Sequence, residues 1–247
     1  MVDKNLQERM NKMLQLSREE GEETYQCPKC MDRGYTFQED KDGYTVAIPC
    51  ECLEKRQILD KLERSGLTES FKRKTFNSYT IENEYQKKAK LQAISFCKRF
   101  QEEKGSLLLS GQVGAGKTHL GVATMLQLLK QNVGCKYVEY VSFIMDLKRC
   151  SMDETNYNRE MNKYKDCTVL FIDDLLKGQT SEADKKYVYE LINHRYMRQK
   201  PIIVSTEKTI NQLMDYDAAI ASRIIEMCKD NIIEFKNVPN RRLKGVK

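Results

Sequence analysis

Hydrophobic and polar positions alternate in a regular way between residues 106 and 235. Short apolar runs have the length and composition of buried strands, and the stretches between them repeat apolar residues every three to four positions, as amphipathic helices do. The predicted strands are 107–110, 136–141, 168–173, 201–206 and 231–235, and the predicted helices lie at about 117–131, 143–151, 181–199 and 217–228. This order predicts an α/β fold whose five-stranded parallel sheet is covered by helices.

The first hundred residues follow a different pattern. A stripe of apolar residues predicts a helix over 3–20, a cysteine-rich stretch follows at 27–52, and further helices are expected at about 53–65 and 85–103. The apolar stripe consists of Leu6, Met10, Met13 and Leu14. Ser65-Gly66 is the expected domain boundary, because Ser-Gly pairs are typical of turns and loops. We therefore predict a small N-terminal domain over 1–65, a linker with a first helix over 66–104, and the α/β domain over 105–247.

Charge and hydropathy indicate where the protein works. The mean hydropathy is −0.66, no apolar run approaches the ~20 residues that span a bilayer, and the N-terminus resembles neither a secretory nor a transit peptide. We therefore expect a cytoplasmic protein without a membrane partner. Residues 1–56 carry 9 Lys and Arg against 12 Asp and Glu, although the whole chain has a net charge of +6. An acidic N-terminal segment that binds a partner, joined to a basic domain that binds phosphates, would explain this uneven charge. Two solvated surfaces of opposite charge would explain it as well.

A glycine-rich turn joins the first predicted strand to the next helix. Residues 111–118 read Gly-Gln-Val-Gly-Ala-Gly-Lys-Thr and fit the pattern G-x-x-x-x-G-K-[ST] at every fixed position. Such a loop points backbone N–H groups at phosphate oxygens, with the helix N-terminus behind them. Lys117 is expected to contact the β- and γ-phosphates, and the Thr118 hydroxyl to ligate Mg²⁺. The candidate nucleotide-binding residues are Gly111, Gln112, Val113, Gly114, Ala115, Gly116, Lys117 and Thr118.

Two acids end the third predicted strand. The run 169–172 is continuously apolar, as in buried parallel strands, and Asp173 and Asp174 follow it. We expect Asp173 to hold the Mg²⁺ and Asp174 to orient or polarise an attacking water. A strand that merely ends in solvated acids is the alternative. The second acid favours hydrolysis over phosphoryl transfer to a small molecule, so the sequence predicts a nucleotide hydrolase.

Four of the nine cysteines lie close together in the sequence. Cys27, Cys30, Cys50 and Cys52 have the spacing C-x₂-C-x₁₉-C-x-C, and the residues between the pairs read as a β-hairpin that turns at 40–43. A hairpin would bring both pairs together as four thiolates for a structural, tetrahedral Zn²⁺. A redox pair or unligated thiols are the alternatives. The other five cysteines are expected to be core or half-buried thiols.

With these motifs in place, the chain resembles the AAA+ ATPases of the DnaC/DnaI helicase-loader group over about 66–247, and IstB-type transposition helper ATPases share most of the same motifs. The similar segments are SGLTESFKRKTFNSY, LLLSGQVGAGKTHL, VLFIDDLLK, KPIIVSTEKT, AIASRIIEMC and FKNVPNRR. The resemblance implies an AAA+ fold, ATP as the nucleotide, and ATP hydrolysis at the interface between subunits of a homo-oligomer or a helicase-bound ring.

The resemblance also implies roles for individual residues. His119 is typical of the group and joins the nucleotide-binding set. Arg223, in the sequence SRI, would be an arginine finger that reaches the γ-phosphate of a neighbouring subunit. The simpler alternative is that Arg223 pairs with Glu226 on its own helix. Arg241, in preference to Arg242, would sense the nucleotide of its own subunit. Thr206 would position the water as a polar sensor, next to an acid, Glu207, where the group often has Asn.

The segment between the second and third strands is the candidate DNA contact. In the resembling group an extra helical segment here lines a channel for single-stranded DNA. Its candidate contacts are Lys148, Arg149, Tyr157, Arg159, Lys163, Tyr164 and Lys165. Basic residues can follow a phosphate backbone and tyrosines can stack on bases, but a solvated basic helix pair would show the same composition.

The function expected from the resemblance is ATP-dependent loading of a replicative ring helicase onto single-stranded DNA, with the zinc domain and the leading helix as the helicase contact. Two alternatives stay open. One is an IstB-like transposition helper that binds duplex DNA. The other is a zinc-containing DNA-binding regulator for which nucleotide is only a ligand.

Overall fold

The computed structural model describes residues 25, 27–39, 41, 44–53, 56, 63–236 and 238–243, without the side chain of Arg242. The chain divides into two compact units, residues 1–57 and 58–247, and each is described by itself. The predicted helix over 3–20 and most of that over 53–65 lie outside the described residues.

The N-terminal unit contains an antiparallel hairpin. Strands β1 (Tyr35–Glu39) and β2 (Thr45–Pro49) pair with Tyr35 opposite Pro49 and Glu39 opposite Thr45. This confirms the predicted hairpin, although residues 40 and 42–43 of its turn lie outside the described part. The paired strands end next to the two cysteine pairs.

The second unit alternates strands and helices, as the sequence predicts. Its strands are β3 (Leu107–Gly111), β4 (Cys135–Glu139), β5 (Val169–Asp173), β6 (Ile202–Thr206) and β7 (Ile232–Phe235). Its helices are α1 (Glu69–Lys72), α2 (Glu84–Glu103), α3 (Lys117–Lys130), α4 (Tyr140–Cys150), α5 (Glu154–Lys165), α6 (Glu182–Met197), α7 (Ile210–Tyr216) and α8 (Ala218–Cys228), and a 3₁₀ turn follows at Arg241–Leu243. Among the helices described, none could cross a bilayer.

All five strands of this unit form one parallel sheet in the order β4-β5-β6-β3-β7. Successive side chains of a strand point to opposite faces, and the two faces bury two separate cores. Leu107 and Leu109 face α2 and α3, whereas Leu108 packs with residues of α4 to α8. Burial on both faces explains why the strands are continuously apolar instead of alternating. The predicted five-stranded parallel sheet is confirmed.

Two local differences from the predicted elements have physical reasons. Tyr140 and Val141 belong to α4, not to the preceding strand, because the chain turns from strand to helix directly after Glu139. Helix α7 was not predicted, since seven residues are too short for a clear helical period. Its N-terminus is nevertheless marked in the sequence, because Thr209 and Gln212 form a reciprocal capping box.

Candidate nucleotide-binding and metal sites

The glycine-rich loop connects β3 to the N-terminus of α3. Gly111, Gly114 and Gly116 all have positive φ angles, of 103°, 71° and 100°, a region that side chains disfavour. At Gly111 a β-carbon would also lie 2.4 Å from the carbonyl oxygen of Phe235. The glycines at the fixed positions of the motif are therefore required by the backbone path, and the loop curves in front of a helix N-terminus as a phosphate cradle does.

Lys117 and Thr118 begin α3 inside this loop. The buried Lys117 amino group donates to the carbonyl oxygens of Gly111 (2.7 Å) and Gln112 (2.8 Å). The Thr118 hydroxyl donates to Oδ1 of Asp173 over 3.0 Å. The predicted phosphate lysine, magnesium hydroxyl and magnesium carboxylate thus come together at the ends of β3 and β5.

Asp173 is buried at the end of β5. The hydroxyls of Ser205 and Thr118 donate to its Oδ1, and that of Tyr137 donates to Oδ2 over 3.2 Å. Burial raises the pKa of the Asp173 carboxyl above its ordinary value; the hydrogen bond from Ser205 opposes that shift, and the charge of Asp174 adds to it. A divalent cation would favour the ionised carboxylate here, so the donor set of Thr118 and Asp173 fits Mg²⁺, which prefers a few oxygen ligands and water.

Asp174 follows with a left-handed backbone, at φ 55°. Its N–H donates to Oγ of Ser205 over 2.9 Å, and its carboxylate accepts from Nζ of Lys177 over 2.5 Å. Ser205 therefore links both acids, a role that the sequence analysis missed. The available signal was a hydroxyl residue near the end of the strand that neighbours β5.

A cleft opens beside the loop. It is lined by Lys74, Gly114, Gly116, Lys117, Thr118, His119, Asp174, Glu207 and Arg241. Glu207 therefore faces the candidate phosphate site, while Thr206 is fully buried and donates its hydroxyl to the carbonyl of Leu175 over 2.8 Å. At the predicted sensor position the structure brings the acid, and not the threonine, into the cleft.

Two further segments of the chain border the cleft. His119 Nε2 lies 2.9 Å from the carbonyl oxygen of Thr75. The Arg241 guanidinium stacks 4.2 Å above the ring of Tyr79 and donates to the carbonyl of Thr80 over 2.7 Å. The stretch before α2 and the C-terminal stretch thus both contact the loop side of the cleft, and Arg241 lies where a nucleotide sensor within the subunit was predicted.

Arg223 does not line this cleft. It lies on α8, where Nε donates to Oδ1 of Asn193 (3.0 Å) and Nη1 donates to the carbonyl of Ala219 (2.7 Å). Glu226, the alternative partner, instead accepts from the hydroxyl of Tyr196 over 2.9 Å.

The candidate DNA segment forms α4 and α5, with its charges largely paired. Lys148 pairs with Asp184, Lys163 with Glu160 and Lys165 with Glu190. The Tyr164 ring is 4% exposed and packs edge-on against Phe143. Tyr164 is therefore a core residue and cannot stack on a base, which corrects that part of the prediction. Arg149 is exposed and pairs with Asp146 over 3.2 Å. Its side chain lines a surface groove with Arg159 and Lys163, and acidic residues line the same groove.

The four N-terminal cysteines converge. Their sulfur atoms lie within 4.8 Å of one another, with Cys27 and Cys50 3.8 Å apart and Cys30 and Cys52 3.3 Å apart. Four sulfurs on a tetrahedral Zn²⁺, with bonds of ~2.3 Å, are about 3.8 Å apart. A disulfide needs about 2.05 Å, and all four thiols are free. The backbone N–H of Gly34 also points at Cys30 Sγ over 3.3 Å, so the donor set fits a structural Zn²⁺.

Comparison with known proteins agrees with this geometry. The model of the family described as IstB-like ATP binding protein matches residues 52–241. YqaM of Bacillus subtilis is 37% identical over 205 residues, 78% of this chain and 64% of that protein. The phage-like element PBSX protein XkdC of Bacillus subtilis is 33% identical over 241 residues, 90% of this chain and 88% of that protein.

Among solved structures, that of the DnaC helicase loader superposes with a TM-score of 0.61 at 25% identity, covering 68% of this chain and all of that chain. The expected AAA+ P-loop fold and the resemblance to the loader and IstB groups are thereby confirmed.

Proposed function

The chain belongs to the family of IstB-like ATP binding proteins, and from this premise we propose that it is an ATPase that loads a replicative ring helicase onto single-stranded DNA. The observation that carries the proposal is the convergence of Lys117, Thr118, Asp173 and Asp174 at one edge of the sheet. The match to the DnaC helicase loader over the whole of that chain supports the proposed loading function.

The chemistry follows from the residues of the cleft. Lys117 exchanges its loop carbonyl partners for the β- and γ-phosphates, and the loop N–H groups bind the remaining phosphate oxygens. Thr118 and Asp173 would hold Mg²⁺, whose positive charge would neutralise those phosphate oxygens. Asp174 orients the attacking water. Glu207 brings a negative charge towards the phosphates, which favours slow hydrolysis by the isolated subunit.

Subunit assembly completes the site in this proposal. Arg223 lies outside its own cleft, on the surface of α8, and stabilises the charge of the transferring phosphoryl group in a neighbouring subunit. Arg241 senses the nucleotide within its own subunit. Arg149, Arg159 and Lys163, which line one groove on α4 and α5, contact the DNA backbone. Arg149 and Lys163 exchange their carboxylate partners for phosphates.

For the N-terminal unit we propose a structural Zn²⁺ on Cys27, Cys30, Cys50 and Cys52, in a helicase-docking domain over 1–65. An isolated hairpin is only marginally stable, and all but one of the residues of β1 and β2 are exposed. A structural metal would therefore supply stability that the hairpin lacks. Metal analysis is expected to find one Zn²⁺ per chain, lost in Cys30→Ser and kept in Cys97→Ser. Equal zinc in both variants would contradict the site.

The decisive experiment measures phosphate release from ATP by the full-length protein, alone, with single-stranded DNA and with duplex DNA, and then helicase loading onto a DNA circle. Asp174→Asn and Arg223→Ala are the test variants, and the exposed Asn211→Ala is the control. We expect stimulation by single-stranded DNA, helicase loading, and loss of both in the two test variants only.

Each alternative has its own outcome. Stimulation by duplex DNA without helicase loading would indicate a transposition helper. Nucleotide binding without turnover, unaffected by Arg223→Ala, would indicate a DNA-binding regulator for which nucleotide is only a ligand.

A further inference from the structure

Three side chains of helix α6 contact the guanidinium group of Arg223. We propose that Asn193, assisted by Tyr189 and Tyr196, is a positioning residue that presents the Arg223 guanidinium to the nucleotide of a neighbouring subunit. This inference rests on the proposed function and adds to it the residues that orient the arginine towards the phosphate.

Two hydrogen bonds hold the guanidinium, one from Nε and one from Nη1. Asn193 Oδ1 accepts from Nε at 3.0 Å, and the carbonyl oxygen of Ala219, one turn earlier on α8, accepts from Nη1 at 2.7 Å. These bonds occupy Nε and one Nη1 hydrogen. Of the five N–H donors, both Nη2 hydrogens and the second Nη1 hydrogen therefore remain to donate to phosphate oxygens.

Two aromatic rings also contact the guanidinium and help to fix its position. Its central carbon lies 5.2 Å from the ring centre of Tyr189 and 5.6 Å from that of Tyr196, within cation–π range. The Tyr196 ring is held in turn, because its hydroxyl donates to Glu226 over 2.9 Å. Such a group loses little freedom when it meets its target, which is the advantage of preorganisation.

All partners of the guanidinium in the described chain are uncharged. Arg223 forms no ion pair with another described residue, since the nearby acid Glu226 is engaged by Tyr196. A carboxylate partner would cancel the charge that an arginine finger must bring to the phosphate. An amide, a carbonyl and two rings hold the side chain and leave its charge available.

Packing alone does not explain the arrangement. Helices α6 and α8 already meet through buried apolar residues, and these include Leu191, Ile192, Ile220 and Ile224. The Arg223 cluster lies outside that core, with Tyr189 40% exposed. A polar cluster at the surface is not needed to hold the two helices together.

The key variant is Asn193→Asp. It keeps an acceptor beside Nε but adds a carboxylate that would pair with Arg223. If Asn193 only joined α6 to α8, Asn193→Asp would preserve or improve stability and activity. If Asn193 presents the finger, we expect kcat to fall about 10- to 100-fold in both Asn193→Asp and Asn193→Ala, with KM for ATP and the melting temperature little changed. Asn211→Ala serves as the matched control.

Mixing subunits tests whether the effect acts on the neighbour. Lys117→Ala lacks a working cradle but carries an intact finger, whereas Asn193→Ala has the reverse defect. An equal mixture is expected to recover about a quarter of the wild-type rate when head-to-tail subunits combine at random.

The outcomes separate two kinds of failure. If Arg223→Ala keeps full activity, the finger assignment itself fails. If Arg223→Ala is inactive while both Asn193 variants stay active, the presentation by α6 is overturned and the proposed function stands. If the mixture recovers nothing, the action of Arg223 on a neighbouring subunit is contradicted as well.

Discussion

Lys177 and Asp174 form an ion pair across a tight turn, with 2.5 Å between Nζ and Oδ2. The amide N–H of Lys177 also donates to the Asp174 carbonyl over 3.1 Å. The acid proposed to orient the attacking water is thus engaged by an ammonium group of its own loop. An engaged carboxylate has fewer lone pairs for water, so we expect the pair to hold back the proposed hydrolysis.

Lys177→Met is therefore expected to raise the basal ATPase rate. A partly exposed ion pair is worth ~0.5–1 kcal/mol, which corresponds to about a two- to fivefold increase in rate. Lys177→Arg retains the charge and is expected to stay near the wild-type rate. Steady-state phosphate release without DNA measures the effect, and a lower rate in Lys177→Met would show that the lysine assists Asp174 instead.

Arg195 is a second positioned arginine, and we predict that it is structural. It is fully buried, and its guanidinium donates to five backbone carbonyls at the end of α5 and before β5 and β6. The acceptors are the carbonyls of Tyr164, Lys165, Cys167, Thr168 and Pro201. Arg195→Met leaves these acceptors without their charged donor, so we expect a loss of about 3–5 kcal/mol in the free energy of unfolding.

Denaturant unfolding measures this loss. Arg195→Lys should recover only part of it, because one ammonium cannot reach both groups of carbonyls. The exposed Arg198→Met is the control and should change stability by less than about 0.5 kcal/mol. A similar small change in Arg195→Met would mean that water replaces the guanidinium.

Sequence reasoning located the strands and the motif residues well, because a buried parallel strand and a phosphate loop each leave a local signature. The sequence marked Glu207 as an acid at the sensor position but could not predict that it faces the cleft, nor that Ser205 links both acids, since these contacts depend on the register of β6 beside β5. Arg195 was within reach, because Val188, Leu191, Ile192 and Arg195 share one helical face. An arginine in such a stripe signals a buried polar network. The predicted base contact of Tyr164 was wrong because it rested on the residue types of the segment and not on the face of α5 that Tyr164 occupies.

Gly121, in α3, permits close contact with the sheet. A β-carbon there would lie 2.3 Å from Cζ of Phe171, a ring fully buried between helix and strand. Replacing a helical glycine with alanine normally stabilises a helix by up to ~1 kcal/mol. Here we expect overpacking to reverse the sign, with a loss of about 1–3 kcal/mol in Gly121→Ala.

Gly134→Ala is the matched control for that substitution. Its β-carbon would meet Thr168 at 3.4 Å, an ordinary contact, so its stability should stay close to wild type. Thermal unfolding of the two variants side by side makes the comparison. Equal melting temperatures would show that Phe171 can move aside.

His119 connects the folded state to pH. Its Nε2 faces the Thr75 carbonyl, which can only accept, so this nitrogen carries the proton of the neutral ring. Burial lowers the pKa of His119 below its ordinary value of 6.5; the Thr75 carbonyl opposes that shift, and the charge of Lys74 adds to it. Above pH 6.5 the ring is neutral in both the folded and the unfolded chain, and its contribution to stability is complete. Below pH 6.5 the unfolded chain takes up a proton that the folded ring resists, so stability is lost as pH falls towards the folded pKa.

We therefore expect the free energy of unfolding to fall more steeply between pH 6.5 and pH 5 in the wild type than in His119→Gln. The difference in slope is at most about 1.4 kcal/mol per pH unit, the limit for one proton. Denaturant unfolding at pH 7.5, 6.5, 5.5 and 5 measures it. Protonation of other groups, His194 among them, is common to both chains and cancels in the comparison. Parallel curves would mean that the folded ring takes up its proton as readily as the unfolded one, and that its contact with Thr75 survives the charge.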